Sequence, residues 1–95
     1  MIYPLAHRLI LSKEALNRMK ERGITSKMIE VALEKGMPYW DPKNKVVNYV
    51  LEGGFASGKT LLVGQNPVTQ QITTVIRGHT RKILRPRFIK LSPTL

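Results

Sequence analysis

The sequence predicts an α+β domain in which two N-terminal helices pack on one face of an antiparallel β-sheet. Apolar residues recur at helical spacing between residues 12 and 36, whereas the chain after Gly36 contains short runs rich in β-branched residues. The connections between these runs are too short for helical crossovers, so the strands are expected to pair antiparallel. With 95 residues, the chain makes a single domain (1–95) with one modest core.

The N-terminal part of the chain is predicted to form a helical hairpin. Residues 1–11 are mostly apolar and are interpreted as an extended lead-in. Ser12 has the side chain of an N-cap, and Gly23 is placed to end the first helix at the C′ position. A second amphipathic helix follows at once and is expected to end at another C′ glycine, Gly36. The hairpin therefore spans residues 12–36.

Residues 37–91 are predicted to form the sheet and a basic C-terminal strand. Residues 37–44 are aromatic and then rich in turn-forming types. Three runs rich in β-branched and apolar residues are candidate strands: 45–51, 60–63 and 71–77. The tail from His79 to Leu91 would extend the sheet or wrap its edge, and Pro86 disfavours a central position.

The charge distribution indicates an anionic partner. Lysine and arginine number 16 against 6 acidic residues, which gives a net charge of +10. Residues 1–52 contain nine of the cations and all six acids, whereas residues 53–95 contain seven cations and no acid. Such an imbalance is typical of proteins that bind nucleic acid, an anionic membrane or an acidic protein. The plain alternative is a cationic surface that only keeps the domain soluble.

Several classes of protein are excluded or disfavoured by composition. The absence of cysteine excludes disulfide scaffolds, thiolate metal sites and cysteine nucleophiles. Two histidines and scattered carboxylates predict no metal site and no cofactor. No apolar run approaches the roughly 20 residues of a membrane helix, so no membrane partner is expected. The N-terminus lacks the pattern of a signal peptide, so export would depend on another segment.

The segment Gly53–Thr60 matches the phosphate-loop pattern GxxxxGK(S/T). In that pattern, backbone amides hold phosphates at the start of a helix. Here the residues that follow are strand-like, and no apolar strand ending in aspartate comes later to hold magnesium. The segment is therefore expected to be a glycine-rich connection between strands. Ser57 and Lys59 on it could still contact the phosphates of a nucleic acid.

A set of residues could cleave RNA without a metal. Ribonucleases that use the substrate's own 2′-hydroxyl need a base, an acid for the leaving oxygen, and cations for the charge on the phosphorane. His79, Lys59 and Arg77 could supply these groups, with Thr74 as a substrate contact on the same strand as Arg77. The alternatives are an exposed surface histidine and a solvated arginine at the strand edge.

Other residues are candidates for RNA binding alone. The remaining cations of the tail are expected to contact the RNA backbone: Arg81, Lys82, Arg85 and Arg87. Aromatic side chains could stack on unpaired bases: Tyr39, Trp40, Tyr49 and Phe55. However, Trp40 and Tyr49 are expected to be core residues.

Two sets of residues resemble known bacterial domains. The run Glu14–Thr25, with Met28–Leu33 and Gly36, looks like a small bacterial family with a RelE-like fold, whose opening segment resembles HAxxRMxxRGIT. The second half is similar to the toxin tips of contact-dependent growth inhibition and other polymorphic toxin systems. The matching segments there are Tyr39–Lys43, Asn48–Tyr49, Ser57–Lys59, Leu62–Gly64 and Thr73–Arg77.

The resemblance implies membership of the Barnase–EndoU–Colicin–RelE superfamily. Its fold has two N-terminal helices on an antiparallel sheet, and its activity is metal-independent cleavage of RNA, often of tRNA. It also implies a cognate acidic immunity protein. The domain would be exported as part of a larger toxin and would act in the cytoplasm of a target bacterium. Whether a translation factor is a further partner is left open.

One position departs from the family pattern. Where that pattern has histidine in the first helix, this chain has Glu14. Either the role of the histidine has moved to His7 or His79, or Glu14 serves as the base, or the chain lacks a base. A non-catalytic RNA-binding module is therefore an alternative to the ribonuclease. A basic domain that binds only an acidic protein is a third.

Overall fold

The computed structural model describes residues 9–53 and 58–91. In these residues, two helices precede the four central strands of a six-stranded sheet, so the predicted α+β class is confirmed. The elements are β1 (Ile10–Leu11), α1 (Lys13–Arg22), α2 (Ser26–Lys35), β2 (Met37–Asp41), β3 (Val46–Leu51), β4 (Thr60–Gln65), β5 (Gln71–Gly78), α3 (Thr80–Ile83) and β6 (Ile89–Lys90). The candidates His7, Phe55 and Ser57 lie outside the described residues.

The sheet has the strand order β1-β5-β4-β3-β2-β6. Strands β2 to β5 form an antiparallel meander, as predicted. However, β1 pairs parallel to β5, with Ile10 opposite Gln71 and Leu11 opposite Ile72. The expectation of a wholly antiparallel sheet is therefore wrong at this edge. Parallel pairing is possible because the helical hairpin and three strands separate β1 from β5, which gives the chain enough length to return in the same direction.

The basic C-terminal strand that the sequence predicts is much shorter than the tail, and it extends the sheet at an edge, which is one of the two expected arrangements. The tail begins with the short helix α3, and only two residues then join the sheet, as β6 beside β2 at the far edge. Between these elements the tail crosses the sheet face because Ile83, Leu84 and Phe88 pack against a cluster that includes Leu62. The sequence assigned no strand to Met37–Asp41, which forms β2.

The two helices begin as predicted, but they end differently. The Ser12 hydroxyl accepts a hydrogen bond from the Ala15 backbone N–H at 3.0 Å. Gly23 has φ of 64°, which confirms a left-handed C′ glycine. Gly36 has φ of −72°, so the left-handed C′ role predicted for it is wrong. A Cβ at Gly36 would lie 2.5 Å from the Ala32 carbonyl oxygen and 3.2 Å from the Val50 nitrogen. Glycine is needed there because α2 passes so close to β3.

The sheet is covered on both faces. On one face, α1 and α2 contribute the buried residues Ala15, Met19, Ile29 and Ala32, which pack on Leu61, Val63, Ile72 and Val75. On the other face, the tail covers the smaller cluster of Val50, Leu62 and Ile83. Strand β4 is consequently buried along almost its whole length. Trp40 and Tyr49 are only half-buried and belong to neither cluster, so the expectation that they are core residues is not confirmed.

Candidate functional site

A β-bulge in β5 decides which side chains reach each face of the sheet. The β4–β5 ladder pairs Gly64 with Thr74 but Gln65 with Ile72, so Thr73 is the extra residue. Without a bulge, Ile72 and Val75 would point to opposite faces, since side chains alternate along a strand. With it, both pack under the helices, and Thr74 faces the other side. Bulges are frequent next to functional sites, where they redirect a side chain.

The first cleft, here called the edge cleft, lies where α1 runs beside β5. Its volume is about 240 Å³. Glu14 and Arg18 are one helical turn apart and line it from α1, and β5 contributes Thr73 to Ile76. Both α1 side chains are exposed, and neither forms an ion pair or hydrogen bond with another described residue. The edge cleft thus holds a carboxylate, a guanidinium and hydroxyl groups.

The second cleft, here called the sheet-face cleft, lies on the side of the sheet that the tail crosses. Its volume is about 200 Å³. It is lined by Asp41, Asn44, Val46, Asn48, Leu62, Thr74, Ile76, Lys82, Ile83, Arg85, Arg87 and Phe88. Thr74 and Ile76 line both clefts, so the two clefts meet at β5.

Gly64 shapes the floor of the sheet-face cleft. The strand register places Asn48, Gly64 and Thr74 side by side on three neighbouring strands. A Cβ at Gly64 would lie 2.8 Å from Asn48 Oδ1 and 3.0 Å from Thr74 Cβ. The absence of a side chain at this position lets the Asn48 carboxamide and the Thr74 side chain come together over the backbone of β4.

An ion pair between Asp41 and Arg87 closes one end of the sheet-face cleft. Arg87 Nε and Nη2 donate to the two carboxylate oxygens of Asp41 at 2.9 and 3.2 Å. Asp41 also accepts hydrogen bonds from the Lys43 and Asn44 backbone N–H groups and from the Asn44 carboxamide. The Arg87 guanidinium, with the Asn44 and Lys43 donors, lowers the pKa of Asp41 to about 2 although burial opposes the shift. Arg87, a predicted RNA contact, therefore fastens the tail to the β2–β3 turn.

Arg77, a predicted catalytic residue, lies on the helix side of the sheet. It pairs with Leu61, which belongs to the core under α1 and α2. Its Nη1 donates to the backbone carbonyl of Arg22, the last residue of α1, at 3.2 Å. In return, Arg22 Nη1 donates to the Val75 carbonyl at 2.9 Å. Arg77 binds the C-terminal end of α1, where a cation is favourable, and it lines neither cleft.

Lys59 and His79 lie together but away from Thr74. The β4–β5 ladder ends with the pair Thr60 and Gly78, so Lys59 and His79 come just beyond the same end. Both are exposed, and His79 precedes α3. Thr74 is four residues from Gly78, which is about 13 Å along a strand. The four predicted catalytic residues therefore do not converge on one cleft.

The predicted RNA-binding cations are also divided. Lys82 and Arg85 line the sheet-face cleft with Arg87. Arg81 is exposed on α3 and lines neither cleft. The residues that the sequence did not select for the site are Arg18 and Asn48, while Glu14 was considered only as a replacement for the family histidine. The spacing of Glu14 and Arg18, one helical turn apart, was the available signal.

Comparison with known proteins gives no further assignment. No family model, curated protein or solved structure matches this chain. Within residues 9–53 and 58–91, no group of three histidine, aspartate or glutamate side chains could hold a metal ion. None of the helices in that part of the chain is long and apolar enough to cross a membrane. The interpretation of the two clefts therefore depends on their geometry and charge.

Proposed function

We propose that this protein is a metal-independent endoribonuclease that cleaves RNA at the edge cleft, with tRNA as the first candidate substrate. One observation carries the proposal: Glu14 and Arg18 from α1 line a single cleft with the β5 segment Thr73–Thr74. A carboxylate, a guanidinium and a hydroxyl group are the types of side chain that cleavage by the substrate's 2′-hydroxyl requires. The excess of cations in residues 53–95 supports RNA as the substrate class.

Each of the three residues has a role in the proposed reaction. The Glu14 carboxylate accepts the proton of the 2′-hydroxyl, whose oxygen attacks the neighbouring phosphorus. The bond between phosphorus and the 5′-oxygen breaks, a 2′,3′-cyclic phosphate remains, and the leaving oxygen takes a proton from solvent. Arg18 stabilises the extra negative charge of the phosphorane, and a threonine hydroxyl of the β5 segment Thr73–Thr74, which lines the cleft, donates to a non-bridging oxygen.

The resemblance to polymorphic toxins supports the same position. In the family pattern, the residue at position 14 is a histidine, and a carboxylate can take its place as a proton acceptor. The remaining parts of the proposal rest on that resemblance alone: a toxin exported within a larger protein, action in the cytoplasm of a target bacterium, and neutralisation by an acidic immunity protein. The basic half of the chain offers charge complementarity to such a partner.

The test is incubation of the purified protein with total bacterial tRNA in EDTA, followed by a denaturing gel and analysis of the RNA ends. Wild type should give discrete products with 2′,3′-cyclic phosphate ends. Glu14→Gln should lower the rate roughly 10²- to 10⁴-fold, the usual contribution of a general base. Glu21→Gln is the matched control because Glu21 is exposed on α1 but does not line the cleft. Equal cleavage by wild type and Glu14→Gln would overturn the assignment of Glu14.

A non-catalytic RNA-binding module is the second candidate. The observation in its favour is that Asp41, the carboxylate that lines the sheet-face cleft, is held by Arg87 and has a pKa of about 2. Such a group is a poor proton acceptor at neutral pH. This candidate predicts binding that weakens with salt, without strand scission. Detection of a cyclic phosphate product that depends on Glu14 would exclude it.

A further inference from the structure

We infer that the sheet-face cleft is a subsite for one unpaired nucleotide of the RNA, in which the Asn48 carboxamide hydrogen-bonds to the edge of the base and Lys82 and Arg85 hold the adjacent phosphate. This inference rests on the proposed ribonuclease function and deepens it, because it assigns base preference to a named residue. It uses a surface different from the edge cleft, although Thr74 and Ile76 border both.

The starting observation is the environment of Asn48. The residue is 3% exposed, and its carboxamide has no hydrogen bond to another described residue. Buried polar side chains are nearly always hydrogen-bonded. In the described part of the chain, no fully enclosed side-chain polar atom lacks a partner. The carboxamide must therefore reach solvent, and the sheet-face cleft is the opening that Asn48 lines.

The walls of the cleft favour an uncharged, flat group beside Asn48. Leu62 and Ile83, which also line the cleft, are buried apolar residues, and Asp41 is occupied by Arg87. A phosphate is better placed at the rim, where Lys82 and Arg85 line the cleft, whereas a base edge beside Asn48 would gain hydrogen bonds. The volume of about 200 Å³ is below the roughly 300–1,000 Å³ of sites for drug-sized ligands. One base fits this description better than a larger ligand.

The carboxamide has the chemistry to read a base. It presents a donor and an acceptor side by side, and this pair matches the amino group and ring nitrogen of adenine. Gly64 keeps the carboxamide accessible because any side chain at that position would lie against Asn48 Oδ1. Adenine is the base with which asparagine usually forms this bidentate pair, so adenine is the base expected here.

The rim of the cleft supplies the charge that the floor lacks. Lys82 and Arg85 are exposed and line the cleft from the tail. Because Thr74 borders both clefts, a nucleotide held here lies next to the phosphate that the edge cleft would cleave. The subsite would thus select the base that flanks the cleaved bond.

The first experiment measures binding separately from cleavage. Protein carrying Glu14→Gln is titrated into labelled single-stranded RNA in which one position is adenine, cytosine or uracil, and binding is followed by fluorescence anisotropy. Adenine should be preferred by roughly 5- to 150-fold, the discrimination of one bidentate contact. Asn48→Ala should abolish the preference. Asn48→Asp, which removes the donor, should weaken the preference, since a carboxylate cannot donate to the adenine ring nitrogen.

Control variants distinguish the base subsite from the proposed ribonuclease activity. Asn17→Ala changes an exposed asparagine on α1 that lines neither cleft, so base preference should stay as in the parent protein. Thermal unfolding of each variant shows whether it is folded, and Asn48→Asp provides a test if Asn48→Ala is not. If a folded Asn48 variant keeps the base preference of its parent, or if the parent has none, the subsite is refuted. The ribonuclease assignment would be unaffected by that result.

A second measurement concerns the rim. Lys82→Ala and Arg85→Ala should weaken binding of all three RNAs to the same extent, and each should reduce the salt dependence of binding by about one phosphate contact. Lys27→Ala changes an exposed lysine on α2 that lines neither cleft, so it is the charge-matched control and should leave the salt dependence unchanged. An unchanged salt dependence in both rim variants would contradict the phosphate contact.

Discussion

Each of the two clefts is lined by one carboxylate, and the two carboxylates have opposite surroundings. Glu14 is exposed at the edge cleft, and its carboxylate has no hydrogen bond or ion pair with another described residue. Asp41 is 1% exposed, accepts five hydrogen bonds, and has a pKa lowered to about 2 by Arg87 and its other donors. A carboxylate that must exchange protons has to be available to its substrate, whereas one that accepts several hydrogen bonds stabilises the structure.

The arginines fall into the same two groups: some are bonded within the protein, and others are exposed at a cleft. Arg87 and Arg77 are both occupied by the protein itself, one by Asp41 and the other by the C-terminal carbonyl of α1. Arg18 and Arg85 are exposed at the two clefts. A basic composition therefore does not identify which cations meet a phosphate. The contacts that each cation makes within the fold identify the ones that are available to a phosphate.

The largest expected effect contrasts Glu14→Gln with Asp41→Asn. Glu14→Gln should reduce cleavage roughly 10²- to 10⁴-fold while the free energy of unfolding changes by less than about 0.5 kcal/mol. Asp41→Asn should lower the free energy of unfolding by about 1.5–3 kcal/mol, because hydrogen bonds to a charged acceptor are weakened. Its cleavage rate per folded molecule should be close to wild type. Urea titration and the tRNA assay measure the two quantities, and loss of cleavage in folded Asp41→Asn would contradict the division of roles.

The role of Arg18 is tested by a charge-matched pair on the same helix. Arg18→Ala should lower the cleavage rate roughly 10²- to 10³-fold, the usual cost of removing one donor that stabilises a transition-state charge. Lys20→Ala removes a cation from the exposed face of α1 outside both clefts and should leave the rate unchanged. If Arg18→Ala and Lys20→Ala lowered the cleavage rate equally, only net charge would matter. The site would then not be assigned to the edge cleft.

Acid should weaken the fold through Asp41. Its pKa falls from 3.8 to about 2 on folding, so the native state holds the deprotonated form more strongly than the unfolded chain does. This stabilisation is complete above the unfolded pKa and is lost as the pH falls through the folded value. Urea unfolding of wild type should therefore become easier between about pH 5 and pH 2, and Asp41→Asn should lack this component. A parallel loss in both proteins would assign the acid sensitivity to other groups.

The smallest effects are expected at the end of the sheet. Lys59→Ala and His79→Ala should each change the cleavage rate by no more than a factor of about two, comparable with ±0.5 kcal/mol for an ordinary surface substitution. The reason is that both residues lie beyond the β4–β5 ladder and line neither cleft. Abolished cleavage in folded His79→Ala, measured by the same tRNA assay, would restore the catalytic site first inferred from the sequence.

Local sequence was sufficient for several elements. The cap at Ser12 and the left-handed Gly23 were predicted because each depends on neighbouring backbone groups only. The strands β3, β4 and β5 follow from β-branched and apolar runs, which favour extended backbone wherever they are placed. The excess of cations in residues 53–95 is read directly from the sequence. All of these properties are set within a few residues along the chain.

The remaining features depend on contacts between distant segments. The parallel pairing of β1 and the pairing of β6 with β2 bring together residues about 50 or more positions apart, and the crossing of the tail brings Ile83 to Leu62 and Val50. In these contacts burial decides and local propensity does not. The bulge at Thr73 turns the Thr74 side chain toward the sheet-face cleft, and the packing of α1 on β5 brings Glu14 and Arg18 to the same strand from the other side. Sequence determined the helices, the central strands and the charge of this protein. Only the packing of its helices and tail on the sheet decided which of those charges share a cleft.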